Sequence, residues 1–587
     1  MTFKGVTCVV WLQVSWQRSR IAVCLVVFPI MLRRIRLTLA ILFFVLITLL
    51  FLDFTGSVHA WLGWMARIQF LPALLAVNVG VILLWVVLTL LFGRVYCSVI
   101  CPLGVMQDVI AWFGKRGKKK RYRYAYSPAK SWLRYGVLVL FIVALIAGIG
   151  SVVALLAPYS AYGRIAQNLF APVWACGNNI LAYLAERIDS YAFYKTEVWV
   201  RSLPTFIVAG VTLLILAVLA WRNGRTYCNT ICPVGTVLGL LSRFSLFRPM
   251  IDLNKCNGCK LCSHRCKASC INPDAHQIDY SRCVVCMDCI GACRQGAISY
   301  QYRFKRSETA PVVDHEKATH KTVGKGNVSS VSKSDSATSS SVGAPAIVTK
   351  SDLCSSKKGT QPVTGNEQAN VSAVASDTGK MRRHFLTGLG LWLGAVAVKA
   401  QEKKVDGGLA VILDKKIPER MTPIVPPGAQ GLHHLTAHCT GCQLCVAVCP
   451  NGVLRPSTDP TRLMQPEMSY ERGYCRPECT KCSEVCPAGA ILPITPADKS
   501  SIQIGHAVWV KANCLPVTDG VSCGNCARHC PVGAIKMVPL DPNRANSPKI
   551  PIVNEERCIG CGACENLCPV RPFSAIYVEG HNRHRLI

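Results

Sequence analysis

One spacing of cysteines constrains this chain more than any other feature. Residues 439–450 read CTGCQLCVAVCP, in which Cys439, Cys442, Cys445 and Cys449 follow the pattern C-x2-C-x2-C-x3-C-P. Such a run supplies three thiolates to one [4Fe–4S] cluster, while its fourth cysteine binds a second cluster. The proline prevents the chain from continuing as a regular helix. The stretch therefore predicts iron–sulfur ligands.

The run recurs, and the repetition predicts about six [4Fe–4S] clusters. Two copies lie upstream and three lie downstream. In two of the downstream copies the spacing between the first and second cysteines is longer. The further copies are Cys256, Cys259, Cys262, Cys266; Cys283, Cys286, Cys289, Cys293; Cys475, Cys479, Cys482, Cys486; Cys514, Cys523, Cys526, Cys530; and Cys558, Cys561, Cys564, Cys568. Zinc sites usually show two separated C-x2-C pairs, and disulfide scaffolds lack such a repeat. We expect two α+β domains like bacterial ferredoxins, at residues 251–303 and 401–587.

In two-cluster ferredoxins the fourth cysteine of each motif binds the cluster of the other motif, and this rule predicts how the ligands pair. Upstream, the first three cysteines of the pair, 256, 259 and 262, are expected to share a cluster with Cys293, and the second three with Cys266. Cys270 competes with Cys266, because no proline follows Cys266. Downstream, two pairings remain open: adjacent motifs, or the first motif with the last and the second with the third.

The first half of the chain is apolar, and we expect an α-helical membrane bundle at residues 31–250. Runs at about 37–52, 70–92, 134–157 and 203–221 are near the length of a membrane span. Lys and Arg flank the runs, as at KRGKKKRYR, which explains the net charge of +33 and places both bundle ends and residues 256–293 in the cytoplasm. Nucleic acid binding is not expected. Residues 1–30 form an uncertain leader, and Met31 is a possible true start.

A second repeat ends the second and fourth runs. GRVYCSVICPLG and GRTYCNTICPVG each carry the motif C-x3-C-P, giving Cys97, Cys101, Cys228 and Cys232. Two related hairpins would bring these cysteines to the same side, and the prolines predict a turn at the membrane surface. Buried thiols, a thiol relay, metal binding and electron transfer all remain open for them.

The two halves are joined by a different kind of sequence. Residues 304–380 are rich in Ser, Thr, Lys and Gly and are expected to be a disordered linker. Arg382 and Arg383 precede an apolar stretch within residues 381–400. This segment resembles a twin-arginine export signal. It could also serve as an anchor or a fifth span.

These features together resemble two known families. Four spans, two C-x3-C-P motifs and a two-cluster tail are similar to the NapH-type membrane quinol dehydrogenase component. Residues 403–587 resemble a NapG/MauM-type ferredoxin with four cluster motifs. The resemblance implies a multi-pass protein of the cytoplasmic membrane, in contact with lipid and the quinol pool. Electrons would reach a redox partner through a C-terminal domain outside the cytoplasm.

Two questions stay open at this point. Asp53, His59 and Asp108 are available as proton acceptors for a quinol, and none is distinctive. The alternative function is a membrane iron–sulfur protein for redox sensing or for assembly and maintenance of a metalloenzyme. No motif indicates a flavin, nicotinamide or molybdenum cofactor.

Overall fold

The structure, a computed structural model, describes residues 17–53, 56–116, 124–304, 413–544 and 546–587. The predicted signal at 381–400 and all but the first residue of the predicted linker lie outside these ranges, as do residues 1–16 of the predicted leader. The described residues before 307 and after 412 belong to one compact unit.

The apolar first half is helical. The helices are α1 (Gln17–Leu52), α2 (Ser57–Leu62), α3 (Trp64–Arg67), α4 (Phe70–Leu75), α5 (Val79–Phe92), α6 (Val95–Val99), α7 (Pro102–Arg116), α8 (Ser131–Ile146), α9 (Gly150–Leu156), α10 (Pro158–Ile165), a π-helical turn (Ala166–Phe170), α11 (Ala171–Glu186), α12 (Leu203–Asn223), α13 (Thr226–Thr230) and α14 (Pro233–Ser242). Among the described residues, Met31–Leu52 and Leu203–Asn223 are long and apolar enough to cross a membrane.

The prediction of four continuous spans is therefore wrong. The second run divides into α4 and α5 at a break where Val77 adopts a left-handed φ of 53°. The third divides into α8 and α9, where Gly148 has a φ of 70°. At about 1.5 Å per residue, α5 and α8 extend for only about 21 and 24 Å, short of the hydrocarbon core of a bilayer.

The two C-x3-C-P repeats have the same local structure. In each, a glycine ends the apolar helix, a five-residue helix carries the first cysteine, and the proline after the second cysteine opens the next helix. Proline suits this position because its missing N–H would have no partner in the first turn. Helix α7 packs along α12, and α14 packs along α5. Each repeat thus covers the apolar helix of the other.

The upstream ferredoxin motifs form a small α+β domain, here the dicluster domain (residues 247–304). Its elements are β1 (Phe247–Ile251), α15 (Leu261–Arg265), β2 (Ile271–Asn272), β3 (Gln277–Ile278) and β4 (Ile298–Tyr302). Strand β1 pairs antiparallel with β4, and β2 with β3. The fold brings its two cysteine motifs between these hairpins.

Residues 413–587, here the four-cluster domain, combine short helices with two-stranded antiparallel sheets. The elements are α16 (Leu432–His438), α17 (Leu444–Ala447), β5 (Leu454–Pro456), β6 (Pro466–Met468), α18 (Lys481–Glu484), α19 (Pro496–Ser501), β7 (Ile502–Trp509), a 3-10 turn (Lys511–Asn513), α20 (Leu515–Thr518), α21 (Asn525–Arg528), β8 (Ile535–Pro539), β9 (Lys549–Val553), α22 (Ala563–Asn566) and β10 (Ile576–Leu586). Strand β5 pairs with β6, β7 with β10, and β8 with β9. Both cluster domains have the α+β character expected from their motifs.

Candidate iron–sulfur sites

The dicluster domain gathers its cysteines around two cavities. Site 1 is lined by Cys256, Cys259, Cys262 and Cys293. Site 2 is lined by Cys266, Cys270, Cys283, Cys286 and Cys289. The grouping is the one that crossed ligation predicts, with each fourth cysteine in the other motif's cavity.

Site 2 contains one cysteine more than a cubane needs. The Sγ atoms of Cys266 and Cys270 lie 3.5 Å apart, and both side chains are buried. Cys270 also contacts the thiol of Cys283. Cys266 and Cys270 are therefore both in position to be the fourth ligand.

In the four-cluster domain, adjacent motifs exchange their fourth cysteines. Site 3 comprises Cys439, Cys442, Cys445 and Cys486; site 4 comprises Cys449, Cys475, Cys479 and Cys482; site 5 comprises Cys530, Cys558, Cys561 and Cys564; and site 6 comprises Cys514, Cys523, Cys526 and Cys568. Of the two pairings that the sequence left open, the structure has the adjacent one.

These four sites follow one another in numerical order. Cys445 of site 3 lies near Cys482 of site 4. The backbone N–H of Cys475 in site 4 donates to the carbonyl oxygen of Cys561 in site 5 at 3.0 Å. Cys564 of site 5 lies near Cys526 of site 6. Neighbouring sites are thus in contact from one end of the domain to the other.

The chemistry of these sites fits a cluster. Backbone N–H groups donate to the sulfurs of Cys439, Cys486 and Cys530 at 3.2–3.4 Å, the kind of hydrogen bond that tunes cluster potentials. Burial raises the pKa of the Cys442 thiol to about 11, and that of Cys561 to about 12. A buried thiol of this kind loses its proton when it binds metal. Within the described ranges, no three His, Cys, Asp or Glu side chains converge closely enough to hold a single metal ion.

Two buried lysines support the loops that carry the cysteines. Lys415 Nζ donates to the carbonyl oxygens of Asn566 and Cys568 at 2.8 and 3.2 Å. Lys499 Nζ donates to the carbonyl oxygens of Arg476 and Cys479. Burial, together with the nearby Arg571, lowers the pKa of Lys415 to about 8. Each ammonium places positive charge beside a site of thiolates.

The four C-x3-C-P cysteines, here the central group, lie inside the bundle. Cys97, Cys101 and Cys228 are each 4% exposed, and Cys232 is 3% exposed. Each proline follows a break between two short helices, at Ile100–Cys101 and at Ile231–Cys232, and begins the second of them. The position of these breaks relative to a membrane surface stays a prediction. The structure does bring the four thiols together as neighbours.

Two fully buried arginines hold the central group from opposite repeats. Arg94 Nη2 donates to the carbonyl oxygen of Cys228 at 3.2 Å, and Arg225 Nη1 donates to that of Cys97 at 2.6 Å. The glycines of both CPxG segments allow this approach, since a Cβ on Gly104 would clash with Arg225 and one on Gly235 with Arg94. The contacts are reciprocal between the repeats.

Asp108 is an ion-pair centre. It binds Arg225 through both oxygens at 2.8 Å and Arg36 at 2.9 Å, and it lies 3.6 Å from Lys267. Burial opposes its charge, but these cations hold the pKa of Asp108 far below its usual range. Asp108 is therefore unsuited to accept a proton from a quinol.

Asp53 and His59 form a buried pair just beyond α1. Their carboxylate and Nδ1 atoms are 3.1 Å apart. Burial lowers the pKa of His59, with Asp53 acting in the opposite direction. Asp53 also lines a cavity of about 120 Å³ between the end of α1, α11 and residues 196–201. A neutral imidazole beside a carboxylate can take up a proton.

Arg94, Arg225, Lys415 and Lys499 were not foreseen as site residues. Arg94 and Arg225 occupy the same place in the two repeats, GR before the first cysteine, and that repetition was a usable signal. No such signal marks the two lysines, because each contacts a cysteine loop far along the chain. The loop is at least 20 residues away for Lys499 and more than 150 residues away for Lys415.

Comparison with known proteins gives two matching families, and both are described as iron–sulfur domains. A family described as a 4Fe-4S binding domain matches residues 74–121 and 204–251. One described as a 4Fe-4S dicluster domain matches residues 438–490 and 521–571. The two dicluster matches correspond to the adjacent pairing of motifs. No solved structure matches the chain.

Three relatives illustrate the similarity. The uncharacterized protein MJ0749 of Methanocaldococcus jannaschii is 34% identical over 16% of this chain and only 38% of its own length. The regulatory protein NosR of Stutzerimonas stutzeri is 24% identical over 36% of this chain and 25% of its own. The methylamine utilization ferredoxin-type protein MauM of Methylobacillus flagellatus is 31% identical over 27% of this chain and 70% of its own.

The matches and the cysteine motifs lead to one functional class. The chain carries multiple [4Fe–4S] clusters and acts in ferredoxin-type electron transfer. The expected similarity of the first half of the chain to a NapH-type membrane component is not shown by these matches. The extent and identity of the MauM match show that the chain belongs to the family of ferredoxin-type MauM proteins.

Proposed function

We propose that this protein is embedded in a membrane and transfers electrons from a quinol, through [4Fe–4S] clusters, to a redox partner at the four-cluster domain. The clusters supply one-electron transfer, and the chain sets their potentials by burial, charge and hydrogen bonds to sulfur. The dicluster domain faces the cytoplasm in this proposal, and the four-cluster domain lies on the other side.

The observation that carries the proposal is the position of the cluster domains on α12. Before its first turn, Arg201 contacts the carbonyl oxygen of Val446 in the four-cluster domain. Beyond its last turn, the Arg225 N–H donates to Lys267 of the dicluster domain at 2.9 Å. The 21 residues of α12 extend for about 30 Å, the thickness of a bilayer core. The two cluster domains are separated by one span.

Helix α1 repeats this arrangement. Arg33, in its middle, binds Asp288 of the dicluster domain at 2.9 Å, and α1 contacts α17 of the four-cluster domain. Between these points its outer face is apolar and uncovered: Ile41 is 51% and Leu42 49% exposed. Exposed aliphatic side chains on a helix of this length suit contact with lipid.

The cavity beside α1 is the best place for a quinol. Its lining is aromatic and polar, and includes Phe51, Asp53, Gln167, Trp174, Trp199 and Arg201. Ala447, between two cysteines of the first ferredoxin motif, also lines it. A quinol oxidised there would give two electrons toward site 3, and its two protons would leave through Asp53 and His59.

Quinol-dependent reduction of the purified protein in liposomes tests this proposal. We expect a ubiquinol or menaquinol analogue to bleach the iron–sulfur absorbance, and Asp53→Asn to slow the bleaching at least tenfold. Asp189→Asn, an exposed carboxylate in the same half of the chain, is the control. Reduction by dithionite but by no quinol would reject the quinol donor.

A second candidate function rests on the similarity to the protein named regulatory protein NosR. In that case the clusters would serve sensing, or assembly of a metalloenzyme. Protease treatment of intact spheroplasts separates the two. Digestion of the four-cluster domain from outside supports transfer across the membrane. Protection until lysis would place all cluster sites inside and favour the second candidate.

A further inference from the structure

The central group has the composition of a metal site rather than of a packed core. Each C-x3-C-P repeat contributes two cysteines, and the four thiols are mutual neighbours. One continuous buried cluster of side chains contains all four together with Cys286 of site 2 and Cys442 of site 3. The group therefore shares one packed core with a cysteine of each cluster domain.

Hydrogen-bond donors are directed at its sulfurs. The backbone N–H of Gly235 donates to Cys232 Sγ at 3.3 Å, and Gln107 Nε2 donates to Cys228 Sγ at 3.3 Å. Arg94 Nη2 lies 3.8 Å from Cys97 Sγ. Donors of this kind also approach the sulfurs of sites 3 and 5. A sulfur that receives N–H donors is suited to carry negative charge.

The charge of Arg94 is the second, independent observation. Its side chain is fully buried, and it donates only to neutral oxygens, of Asn229, Ser281 and Cys228, besides the cysteine sulfur. In the part of the chain that the structure describes, no carboxylate pairs with it. A buried guanidinium without an anion is strongly unfavourable. An anionic group bound at the central cysteines would supply the missing charge.

We propose that Cys97, Cys101, Cys228 and Cys232 together hold one further iron–sulfur cluster, shared by the two repeats. Four thiolates around an iron–sulfur core give a net negative charge, which Arg94 offsets. A cluster there would be an intermediate carrier between site 2 and site 3, because the central group shares one buried core with a cysteine of each. No bond forms or breaks, because the cluster accepts one electron from site 2 or site 3 and passes one electron to the other of these two sites. This role rests on the proposed function, but the binding does not.

Flanking tyrosines connect the central group with the four-cluster domain. Tyr96 and Tyr227 are buried beside its cysteines, and Tyr227 OH donates to the carbonyl oxygen of Leu156 at 3.3 Å. The next helix begins at Pro158, and its Tyr159 neighbours Cys442 of site 3. On the other side, Asn229 Nδ2 donates to Ala268 beside site 2 at 3.2 Å. The packed core thus continues from the central group to both sites.

Iron and acid-labile sulfide counts on the anaerobically purified full chain test the proposal. Six [4Fe–4S] clusters give about 24 iron atoms per chain, whereas a seventh gives about 28, or about 26 if it is a [2Fe–2S] cluster. We expect the higher count, falling to about 24 in Cys101→Ser and in Cys232→Ser, with the loss of one electron paramagnetic resonance signal. Cys176→Ser, a cysteine elsewhere in the bundle, should change neither.

The wild-type count keeps the test decisive even if a variant does not fold. About 24 iron atoms in the wild-type chain would overturn the proposal, whether the central cysteines then hold zinc, form a disulfide or remain free thiols. Because the count needs no electron donor, an excess of iron without quinol oxidation would support this inference while rejecting the quinol donor.

Discussion

The bundle binds its two cluster domains by different physical means. At the dicluster end the contacts are ionic: Asp108 joins Arg36, Arg225 and Lys267, and Asp288 joins Arg33 and Lys267. At the four-cluster end the ion pair of Arg472 with Glu197 is largely exposed, and Arg201 contacts a backbone carbonyl oxygen. The buried side-chain contacts there are close and involve neutral groups. Gly163 lies against the carbonyl oxygen of Cys442, and Asn168 Nδ2 donates to Gln443 Oε1 at 2.9 Å.

The difference follows from what each end must bury. The ionic end retains partial contact with water, since Lys267 and Asp108 are 22% and 14% exposed. Asn168 and Gln443 are buried, and a neutral hydrogen bond avoids the cost of burying a charge there. We therefore expect the ionic end to be sensitive to lost charges and the other end to lost space.

Asp108→Asn should have the largest effect. It leaves the fully buried Arg225 without its carboxylate, and removing one partner of a buried pair costs about 3–5 kcal/mol. Denaturant unfolding of the purified protein in detergent measures the loss. The matched control is Asp274→Asn, whose pair with Lys260 is exposed and should be worth about 0–1 kcal/mol. Equal losses in both variants would refute the ionic role.

Gly163→Val should loosen the four-cluster end without affecting the ionic end. A side chain there would collide with the Cys442 carbonyl oxygen and with Phe51, and overpacking costs about 1–3 kcal/mol. We expect faster hydrogen exchange in residues 440–448 and unchanged exchange in the dicluster domain. Gly177→Val is the control, because nothing lies within 4 Å of a Cβ at that position. Uniform exchange changes across both domains would contradict a local contact.

A double-mutant cycle on Asn168 and Gln443 measures a smaller contribution. Each single change to Ala removes one hydrogen bond from a buried amide, at a cost of about 1–3 kcal/mol. Asn168 keeps its hydrogen bonds with Arg164 and Thr205 in both proteins of the cycle where it is present. The coupling between the two changes should be about 1 kcal/mol. Additive effects would mean that the hydrogen bond does not contribute to docking.

Salt should have the smallest effect, and residues 440–448 at the four-cluster end should not respond to it. The Arg33 side chain is 52% exposed, so its pair with Asp288 is worth about 0–1 kcal/mol and is screened at high ionic strength. Hydrogen exchange of the dicluster domain in about 1 M salt should rise slightly in the wild type and not further in Arg33→Ala. A larger rise at residues 440–448 would reverse the assignment of the two ends.

Which cysteines lie together in the dicluster domain could be predicted, because each motif determines a local loop. The crossed grouping of sites 1 and 2 follows from the spacing alone. In the four-cluster domain the spacing does not determine which motifs exchange their fourth cysteines, since this depends on which hairpins pack together. The competition between Cys266 and Cys270 likewise depends on a 3.5 Å contact that spacing cannot specify.

The bundle was predicted less well. Hydropathy detects apolar residues but not breaks such as Val77 and Gly148, where the backbone adopts left-handed conformations. The breaks before Pro102 and Pro233 were predicted from the prolines, but the packing of the helices that these prolines start was not. Asp108 appeared undistinguished in the sequence because its three cations come from distant parts of the chain.

The reciprocal contacts of Arg94 and Arg225 have a consequence for the ancestry of the bundle. They are the contacts that a two-fold axis parallel to the spans would generate, exchanging Cys97 with Cys228 and Cys101 with Cys232. Two identical copies of a shorter chain with one repeat would build the same interior. In a single polypeptide the two repeats need not be identical outside this interior, and here a ferredoxin domain follows the second repeat alone.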